Sequence, residues 1–189
     1  MKLHTYQSPE HYRRVQEEWN RRKLSWVYVA EKELDIIAKT LKPIGPRFGI
    51  CHGARNGHEV AGLHSRLPDC RVIGTDISST ATDFKNVIQH DFHNPMPDGC
   101  GPACFVYSNS LDHAHDPQKA IAAWKAQLRI GGLLIVHWSV DSEEAYMTEA
   151  DCFGASLEEY RSLIKPDREI RDGMTRLGCL LIWERLGDD

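Results

Sequence analysis

Apolar residues at the start of the chain recur every three or four positions, which is the repeat of a helix with one buried face. In residues 1–42 they are Trp26, Val27, Ala30, Leu34, Ile37, Ala38 and Leu41. Ser8 can cap a helix that has Pro9 at its first position, and Pro43 and Gly45 end the segment. The pattern predicts helical structure that covers one face of a sheet.

Beyond this segment, short apolar runs alternate with amphipathic helices. The predicted strands are Arg47–Cys51, Arg71–Thr75, Asn86–His90, Ala103–Tyr107, Leu133–His137 and Leu177–Arg185. The predicted helices are His58–Leu67, Pro117–Ile130 and a third that begins at the Ser156/Glu159 capping box and ends before Pro166. Asp116 caps the second of these helices, and Gly131-Gly132 ends it. This alternation predicts βαβ units and a mostly parallel sheet.

Parallel sheets bind ligands at the carboxyl ends of their strands, so the loops that follow the strands are where chemistry is expected. Gly53 and Gly57 follow the first strand. Glycines there let a ligand approach the backbone closely, although an ordinary tight turn uses them too. Asp76 ends the second strand and can accept both hydroxyls of a ribose, or cap a helix. Asp91 can accept from an adenine amino group while Phe92 packs on the ring.

Five segments, in this order, resemble the class I methyltransferases that use S-adenosylmethionine (SAM). They are GICHGARNG (49–57), VIGTDIS (72–78), IQHDFHNPMPDG (88–99), FVYSNSLDHAHDP (105–117) and RIGGLLIVHW (129–138). The resemblance covers residues 47–137 and implies an α/β, Rossmann-like three-layer fold with a mostly parallel seven-stranded sheet. It also implies a methyltransferase-like domain over 46–189, with an N-terminal helical extension over 1–45 that packs on it.

The resemblance further implies which residues bind the cofactor, SAM. The matching positions are Cys51, His52, Gly53, Arg55, Gly57, Asp76, Ile77, Asp91, Phe92, Ser108 and Asn109. Two departures alter the first loop: Cys51 stands where the family usually has an acid, and Arg55 replaces the middle glycine. Arg55 can pair with the cofactor carboxylate or face solvent at the start of a helix. The link from Asp76 to Asn86 is too short for a full crossover helix, which predicts a more open adenine pocket.

Methyl transfer needs a nucleophile held in line with the methyl group and, for some acceptors, a base that removes a proton. His113 and Asp112 follow the fourth strand and are the candidate catalytic residues. The alternative for His113 is a packed histidine that stabilises its loop. His113, His115 and Asp116 have only a weak metal-ligand spacing, so no metal site is predicted.

These patterns predict a SAM-dependent methyltransferase that acts on a small-molecule or sugar-like acceptor. One alternative is a non-catalytic methyltransferase-like binding module, which the altered first loop would suit. A second is a nucleotide-dependent oxidoreductase, which is disfavoured because the sequence lacks GxGxxG. A third is another transfer from the same sulfonium, such as aminopropyl transfer.

Composition narrows the picture a little further. A net charge of −4 argues mildly against nucleic acid as the main partner. No apolar run approaches the ~20 residues of a membrane span, and no apolar stretch follows the N-terminal charges as in a signal peptide. We therefore expect a cytoplasmic protein, with no membrane partner, whose six cysteines are free thiols.

Residues 138–155, between the fifth strand and the capping box, leave the sheet at its predicted ligand-binding edge. They carry Trp138, Tyr146, Met147 and Phe153 among several acids. Connections longer than ~12–15 residues are often lids or binding elements. The segment predicts a lid that excludes water from the site, and burial of its aromatic residues against the N-terminal helices is the equal alternative.

Overall fold

The computed structural model describes residues 1–187, over which the chain forms strands and helices in alternation. The strands are β1 (Lys2–Leu3), β2 (Phe48–His52), β3 (Arg71–Asp76), β4 (Val87–Gln89), β5 (Ala103–Ser108), β6 (Leu128–Trp138), β7 (Phe153–Gly154), β8 (Arg168–Ile170) and β9 (Cys179–Glu184). The helices are α1 (Pro9–Arg22), α2 (Glu31–Leu41), α3 (His58–Arg66), α4 (Pro117–Ala126) and α5 (Leu157–Ile164).

Seven of the strands form the central sheet, in the order β4-β3-β2-β5-β6-β9-β8. The five strands β4, β3, β2, β5 and β6 are parallel to one another, and β9 is antiparallel to both of its neighbours, β6 and β8. The order reverses at β2, which has β3 on one side and β5 on the other. The carboxyl ends of these three strands therefore open a crevice, as in other doubly wound sheets. The predicted Rossmann-like, mostly parallel seven-stranded sheet is confirmed.

Helices cover both faces of the sheet, each over its own apolar cluster, which gives three layers. The first cluster includes Leu34 and Ile37 of α2, Leu63 of α3 and Phe105 of β5. The second includes Trp124 of α4, Tyr160 of α5 and Val106 of β5. Phe105 and Val106 are neighbours and enter opposite clusters because successive side chains of a strand point to opposite faces.

The pair Gly131-Gly132 does not end a helix, so the predicted helix Pro117–Ile130 is wrong at its C-terminal end. Helix α4 stops at Ala126, and β6 begins at Leu128. The carbonyl of Gln127 accepts from the amide of Ala103 at 2.8 Å, which starts pairing with β5 before the glycines. Gly131 has a φ of 69°, and the register with β5 shifts there. The glycines therefore allow an irregularity inside a long strand.

Three short strands were not predicted from the sequence. β8 extends the sheet beyond β9, while β1 and β7 pair as a separate two-stranded sheet that joins Leu3 to Phe153. Strands of two or three residues are too short to show a hydrophobic alternation. The other predicted strands and helices are present with shifts of a few residues at their ends, which is the usual uncertainty of boundaries.

The N-terminal segment forms two helices with different positions. Helix α2 packs with α3 on one face of the sheet, as the apolar repeat from Leu34 to Leu41 predicted. Trp26 and Val27 of that repeat lie instead in the link before α2 and are about half exposed. Helix α1 instead lies across the carboxyl edge of the sheet, where Asn20 donates to Asp76 at 2.9 Å and Tyr12 donates to the carbonyl of His113 at 3.1 Å. The N-terminal segment thus contributes directly to the ligand-binding edge.

All six cysteines are free, in agreement with the expected thiols. Over residues 1–187, no helix has both the length and the apolar character that crossing a bilayer requires.

Candidate functional site

Two adjoining cavities lie at the carboxyl edge of the sheet. The inner cavity has a volume of about 50 Å³ and is lined by α1 together with Gly53, Arg55, Asp76, Ile77 and Phe92. The outer cavity has a volume of about 290 Å³, and its lining includes Tyr28, Asn109, Asp112, Asp141, Asp151 and Arg176. Gly53, Arg55, Ser110 and His113 line both. The two cavities therefore meet at these residues.

The loop after β2 has a backbone that favours glycine at three positions. Gly53, Arg55 and Gly57 have φ values of 70°, 40° and 73°, in the left-handed region that other residues rarely adopt. A Cβ on Gly53 would lie 2.4 Å from the hydroxyl oxygen of Ser110. Both its φ and the close packing of Ser110 therefore require glycine at position 53. The conformation of Arg55 also explains why the resembling family places glycine there.

The side chain of Arg55 faces the cleft rather than open solvent. Its guanidinium lies 5.4 Å from the centre of the Tyr28 ring, and the guanidinium of Arg176 lies 4.8 Å from the same ring. No carboxylate of residues 1–187 pairs with Arg55, whereas Arg176 pairs with Asp141 at 3.2 Å. Arg55 thus places a positive charge without a carboxylate partner at the junction of the two cavities.

Asp76 is buried at the end of β3 with its carboxylate held by three donors. Its Oδ1 accepts from the amide of Ser78 and from the side chain of Asn20, both at 2.9 Å, and Oδ2 accepts from the amide of Arg55 at 3.0 Å. Burial raises the pKa of Asp76, and the hydrogen bonds from the two amides oppose that shift. The carboxylate is therefore fixed in orientation at the wall of the inner cavity.

The loop after β4 brings Phe92 into the inner cavity. The carbonyl of Phe92 accepts from the indole of Trp124 at 3.1 Å, which ties the loop to α4. Asp91 turns away, because its Oδ1 accepts from the amide of His93 at 3.0 Å and lies 2.6 Å from the ring nitrogen Nδ1. Burial opposes ionisation of Asp91, but the hydrogen bonds from His93 outweigh it and lower its pKa to about 2. Asp91 thereby positions Phe92.

Several of the predicted cofactor residues have side chains directed into the core. Cys51 belongs to the apolar cluster under α2 and α3, and burial raises the pKa of its thiol. Both ring nitrogens of His52 have partners at 2.8 Å, in Thr75 and Gln127, and burial lowers its pKa to about 3, so the ring is neutral. That Cys51 and His52 contact the cofactor stays a prediction, and such a contact would have to use their backbone atoms.

The remaining predicted positions divide between the cavities and their support. Ile77 lines the inner cavity, and Asn109 lines the outer one. The hydroxyl of Ser108 donates to the carbonyl of His52 at 3.1 Å and accepts from the amide of Ser110, so it stiffens the junction. Gly57 begins α3.

A cluster of charged side chains surrounds His113, the predicted catalytic histidine. Its Nδ1 lies 2.9 Å from the carbonyl of Ala150, which can only accept, so Nδ1 carries a hydrogen and Nε2 is the ring nitrogen left to exchange a proton. Asp151 Oδ1 is 3.5 Å from Nδ1, and Lys23 Nζ is 3.4 Å from the same oxygen. Burial opposes ionisation of Asp151, but the charges of His113 and Lys23 outweigh it and lower its pKa.

Asp112 completes this cluster from the other side. Its Oδ1 lies 4.0 Å from Nε2 of His113, and burial raises the pKa of its carboxyl. That oxygen is buried and has no hydrogen-bond partner within the described chain. The two predicted catalytic residues are thus adjacent and face the outer cavity.

Some of the site was missed by sequence reasoning. Asn20 comes from α1 and Lys23 from the position just after it, Asp151 from the segment 138–155, and Arg176 from the loop before β9. A usable signal was present in α1, where Gln16 and Asn20 are polar residues one turn apart on a face that proves buried. For Arg176 the sequence carries no such signal.

The segment 138–155 divides into buried ends and an exposed middle. Trp138 and Phe153 are 6% and 1% exposed, whereas Tyr146 is 52% exposed and lines the outer cavity. The carbonyl of Ala150 accepts from Gln16 at 2.7 Å, which attaches the segment to α1. Phe153 is therefore a core residue, and the lid hypothesis is limited to the residues around Tyr146.

No protein-family model matches the sequence, and no curated protein matches it either. Solved structures do match the fold. One is 1,6-didemethyltoxoflavin-N1-methyltransferase from Burkholderia thailandensis with S-adenosylhomocysteine (SAH) bound, at a TM-score of 0.70 and 14% identity over 97% of this chain and 93% of that one. Another is geranyl diphosphate C-methyltransferase from Streptomyces coelicolor with Mg²⁺, geranyl diphosphate and SAH, at 0.69 and 13% over 96% and 100%.

A third similar structure is the N-methyltransferase NodS from Bradyrhizobium japonicum with SAH, at a TM-score of 0.63 and 12% identity over 90% of this chain and 98% of that one. Identities this low establish the fold alone. The resemblance in the sequence is confirmed at that level: the chain has the fold of the class I SAM-dependent methyltransferases.

Proposed function

We propose that the protein is a SAM-dependent methyltransferase with a small-molecule acceptor. The observation that carries this proposal is the pair of cavities that meet at His113. The inner one is walled by the residues that the family motifs predict for the cofactor, and the outer one contains groups able to hold an acceptor and take a proton. The structures with the same fold are methyltransferases, several of them with SAM or SAH bound.

The residues of the inner cavity fit the chemical groups of SAM. Asp76 has a fixed carboxylate suited to ribose hydroxyls, and Phe92 and Ile77 supply apolar surface for an adenine ring. Gly53 contributes to the wall of the same cavity. Arg55 can pair with the carboxylate of the amino-acid end. These groups would hold the cofactor with its methyl group toward the outer cavity.

When bound, the cofactor supplies an activated methyl group, and the chain supplies position and proton transfer. Because Nδ1 donates to Ala150, the lone pair of the neutral form of His113 is on Nε2, at the junction of the cavities. It can accept a proton from a nucleophile held there. Tyr12 and Ala150 fix the loop and ring of His113 through hydrogen bonds at 3.1 and 2.9 Å, so the base is oriented before an acceptor arrives.

The outer cavity, with a volume of about 290 Å³, is at the lower end of the range of small-molecule sites and suits a small acceptor. The structural neighbours include methyltransferases named for a toxoflavin precursor, for geranyl diphosphate and for a sugar. A sugar-like acceptor remains part of the proposal. A direct test is incubation with methyl-labelled SAM and a small-molecule extract of the source cell. Label in a new small molecule supports transfer, whereas SAH binding without any labelled product would favour the non-catalytic binding module.

Asp76→Ala is expected to weaken SAH binding by about 1–3 kcal/mol, the scale of hydrogen bonds to a charged group. The reason is the loss of the carboxylate that would accept the ribose hydroxyls. Isothermal calorimetry with SAH measures the effect, and circular dichroism checks the fold. Asp98→Asn, on an exposed loop, is the control that should bind as wild type. Unchanged affinity in a folded Asp76→Ala protein would reject the ribose assignment.

Arg55→Ala is expected to weaken SAH binding by about 1–3 kcal/mol and leave binding of 5′-methylthioadenosine nearly unchanged. Methylthioadenosine lacks the amino-acid end, so it has no carboxylate for Arg55 to pair with. Arg176→Ala is a matched control, because its guanidinium lies on the same Tyr28 ring. Equal losses for both ligands in Arg55→Ala would contradict the carboxylate pairing and leave only a role in packing.

A further inference from the structure

The carboxylate of Asp76 has room for only one more hydrogen bond in this conformation of the chain. An ionised carboxylate offers about four lone-pair positions. Three are taken, by the main-chain amides of Ser78 and Arg55 and by the side-chain amide of Asn20. The two hydroxyls of a ribose need one position each. A ribose can therefore bind through both hydroxyls only if one of the three donors leaves.

Asn20 is the donor that can leave. Ser78 is fully buried, and the loop that carries Arg55 is held by the amide of Ala54, which donates to the carbonyl of Thr75 at 2.9 Å. These two donors belong to the main chain, so they stay where the loops hold them. Asn20 donates from a side chain on α1, a helix outside the sheet. Its amide can turn away without any change in the main chain of the loops.

The size of the inner cavity points to the same contact. Its volume is about 50 Å³, whereas a cavity that holds one benzene ring has a volume of about 150 Å³. An adenosine group therefore requires part of the wall to move outward. The wall that α1 forms is the one outside the sheet, and Asn20 attaches this wall to Asp76 at 2.9 Å. The contact that occupies the carboxylate thus also holds the cavity closed.

Other contacts keep α1 docked when Asn20 is released. Gln16 donates to the carbonyl of Ala150 at 2.7 Å, and Tyr12 donates to the carbonyl of His113 at 3.1 Å. These residues lie one and two turns before Asn20, which is in the last turn of the helix. Release of Asn20 therefore frees the end of α1 from the carboxylate, and the rest of the helix stays attached.

We propose that Asn20 is an autoinhibitory residue, whose side-chain amide occupies a position on Asp76 that a ribose hydroxyl of the cofactor must take. This inference rests on the proposed function. The cofactor exchanges the Asn20 donor for its own hydroxyl, and α1 then packs over the adenosine group. Only the chains in which Asn20 is released can bind, so the apparent affinity is lowered by the fraction that they represent.

Asn20→Ala tests this inference through the sign of its effect. Loss of a residue that supports the site would weaken SAH binding, whereas loss of a competitor tightens it. Calorimetry should show that SAH binds Asn20→Ala about 10-fold more tightly than wild type, the scale of one hydrogen bond to a charged group. Unchanged or weaker SAH binding by the folded variant overturns the inference.

Two further variants separate release of the donor from a gain in room. Asn20→Leu has a side chain of similar size without a donor, and leucine favours a helix, so it should tighten SAH binding as Asn20→Ala does. Gln16→Ala removes part of the same wall without touching Asp76 and should not tighten binding. Tighter binding by both alanine variants, with none by Asn20→Leu, would assign the effect to room and overturn the inference.

A double-mutant cycle tests the pair itself. In an Asp76→Ala background there is no carboxylate for Asn20 to occupy, so Asn20→Ala should no longer tighten SAH binding. An equal gain in both backgrounds overturns the inference. Titration of wild type with SAH is done first. If neither wild type nor Asn20→Ala binds SAH, the proposed function fails as well. If wild type binds SAH and Asn20→Ala binds it no more tightly, the autoinhibitory role alone fails.

Discussion

His113→Gln should lower kcat/KM by about 10²- to 10⁴-fold, the usual contribution of a general base. Nε2 of His113 carries the lone pair of the neutral ring at the junction of the cavities, and glutamine supplies no comparable base there. The rate is measured with the acceptor that the labelled extract yields. Affinity for SAH should change little, because the predicted cofactor contacts of Arg55, Asp76 and Phe92 are intact.

The control for this substitution is His64→Gln, on the exposed side of α3. Its kcat/KM should equal that of wild type. Full activity in His113→Gln would assign His113 to packing and move the base elsewhere. A loss of activity that follows a loss of thermal stability, with weaker SAH binding, would likewise assign His113 to packing. The general-base assignment requires the rate to fall alone.

Phe153→Ala should destabilise the protein by about 3–5 kcal/mol, the range for removing a buried phenylalanine. Phe153 is 1% exposed, stacks on Tyr160 with ring centres 5.7 Å apart, and pairs with Leu3 through β7. Urea unfolding followed by circular dichroism measures the change. SAH affinity of the protein that remains folded should be close to wild type.

Tyr146→Ala is the matched variant from the same segment. Tyr146 is 52% exposed and lines the outer cavity, so its loss should change stability by less than about 0.5 kcal/mol, as for surface substitutions. It should instead raise KM for the acceptor. The lid hypothesis is contradicted if Tyr146→Ala has wild-type kinetics. It is also contradicted if Tyr146→Ala unfolds as easily as Phe153→Ala.

The central sheet could be predicted because its strands are buried on both faces and read as continuous apolar runs. Val106 and Leu134, for example, are fully buried, and their neighbours in the chain are too. The starts of three helices could also be predicted, at Ser8, Asp116 and Ser156, because each of these side chains accepts a hydrogen bond from the amide three residues later. These signals are local, so one sequence was enough.

The site was only partly predictable because it combines residues far apart in the chain. Asp76 and Phe92 followed from their positions at strand ends, and the structure places both on the inner cavity. Asn20 reaches Asp76 only because α1 crosses the edge of the sheet, and no local pattern gives that crossing. For His52 the loop motif predicts a ligand contact, and the structure adds that its ring nitrogens already have partners in Thr75 and Gln127.

Gly131-Gly132 was misread for a related reason. Two glycines after an amphipathic run usually end a helix. Here the pairing of Leu128 with Ala103 begins β6 earlier, and a Cβ on Gly132 would lie 2.8 Å from the carbonyl oxygen of Arg129. The need for glycine is therefore real, but a bulge within a strand imposes it rather than a helix end. Long-range pairing decides between the two.

Helix α1 contributes Tyr12, Gln16, Trp19, Asn20 and Lys23 to the wall of the inner cavity. Part of the binding free energy of any ligand in this cavity therefore depends on α1 being docked on the sheet. By thermodynamic linkage, a ligand at one hundred times its Kd adds about 2.7 kcal/mol to the cost of undocking α1. The frequency with which the helix opens would then fall about a hundredfold, while strands such as β9 on the far side of the sheet would keep their own opening rates. Ligand occupancy would thus raise the local stability of α1, a helix outside the sheet.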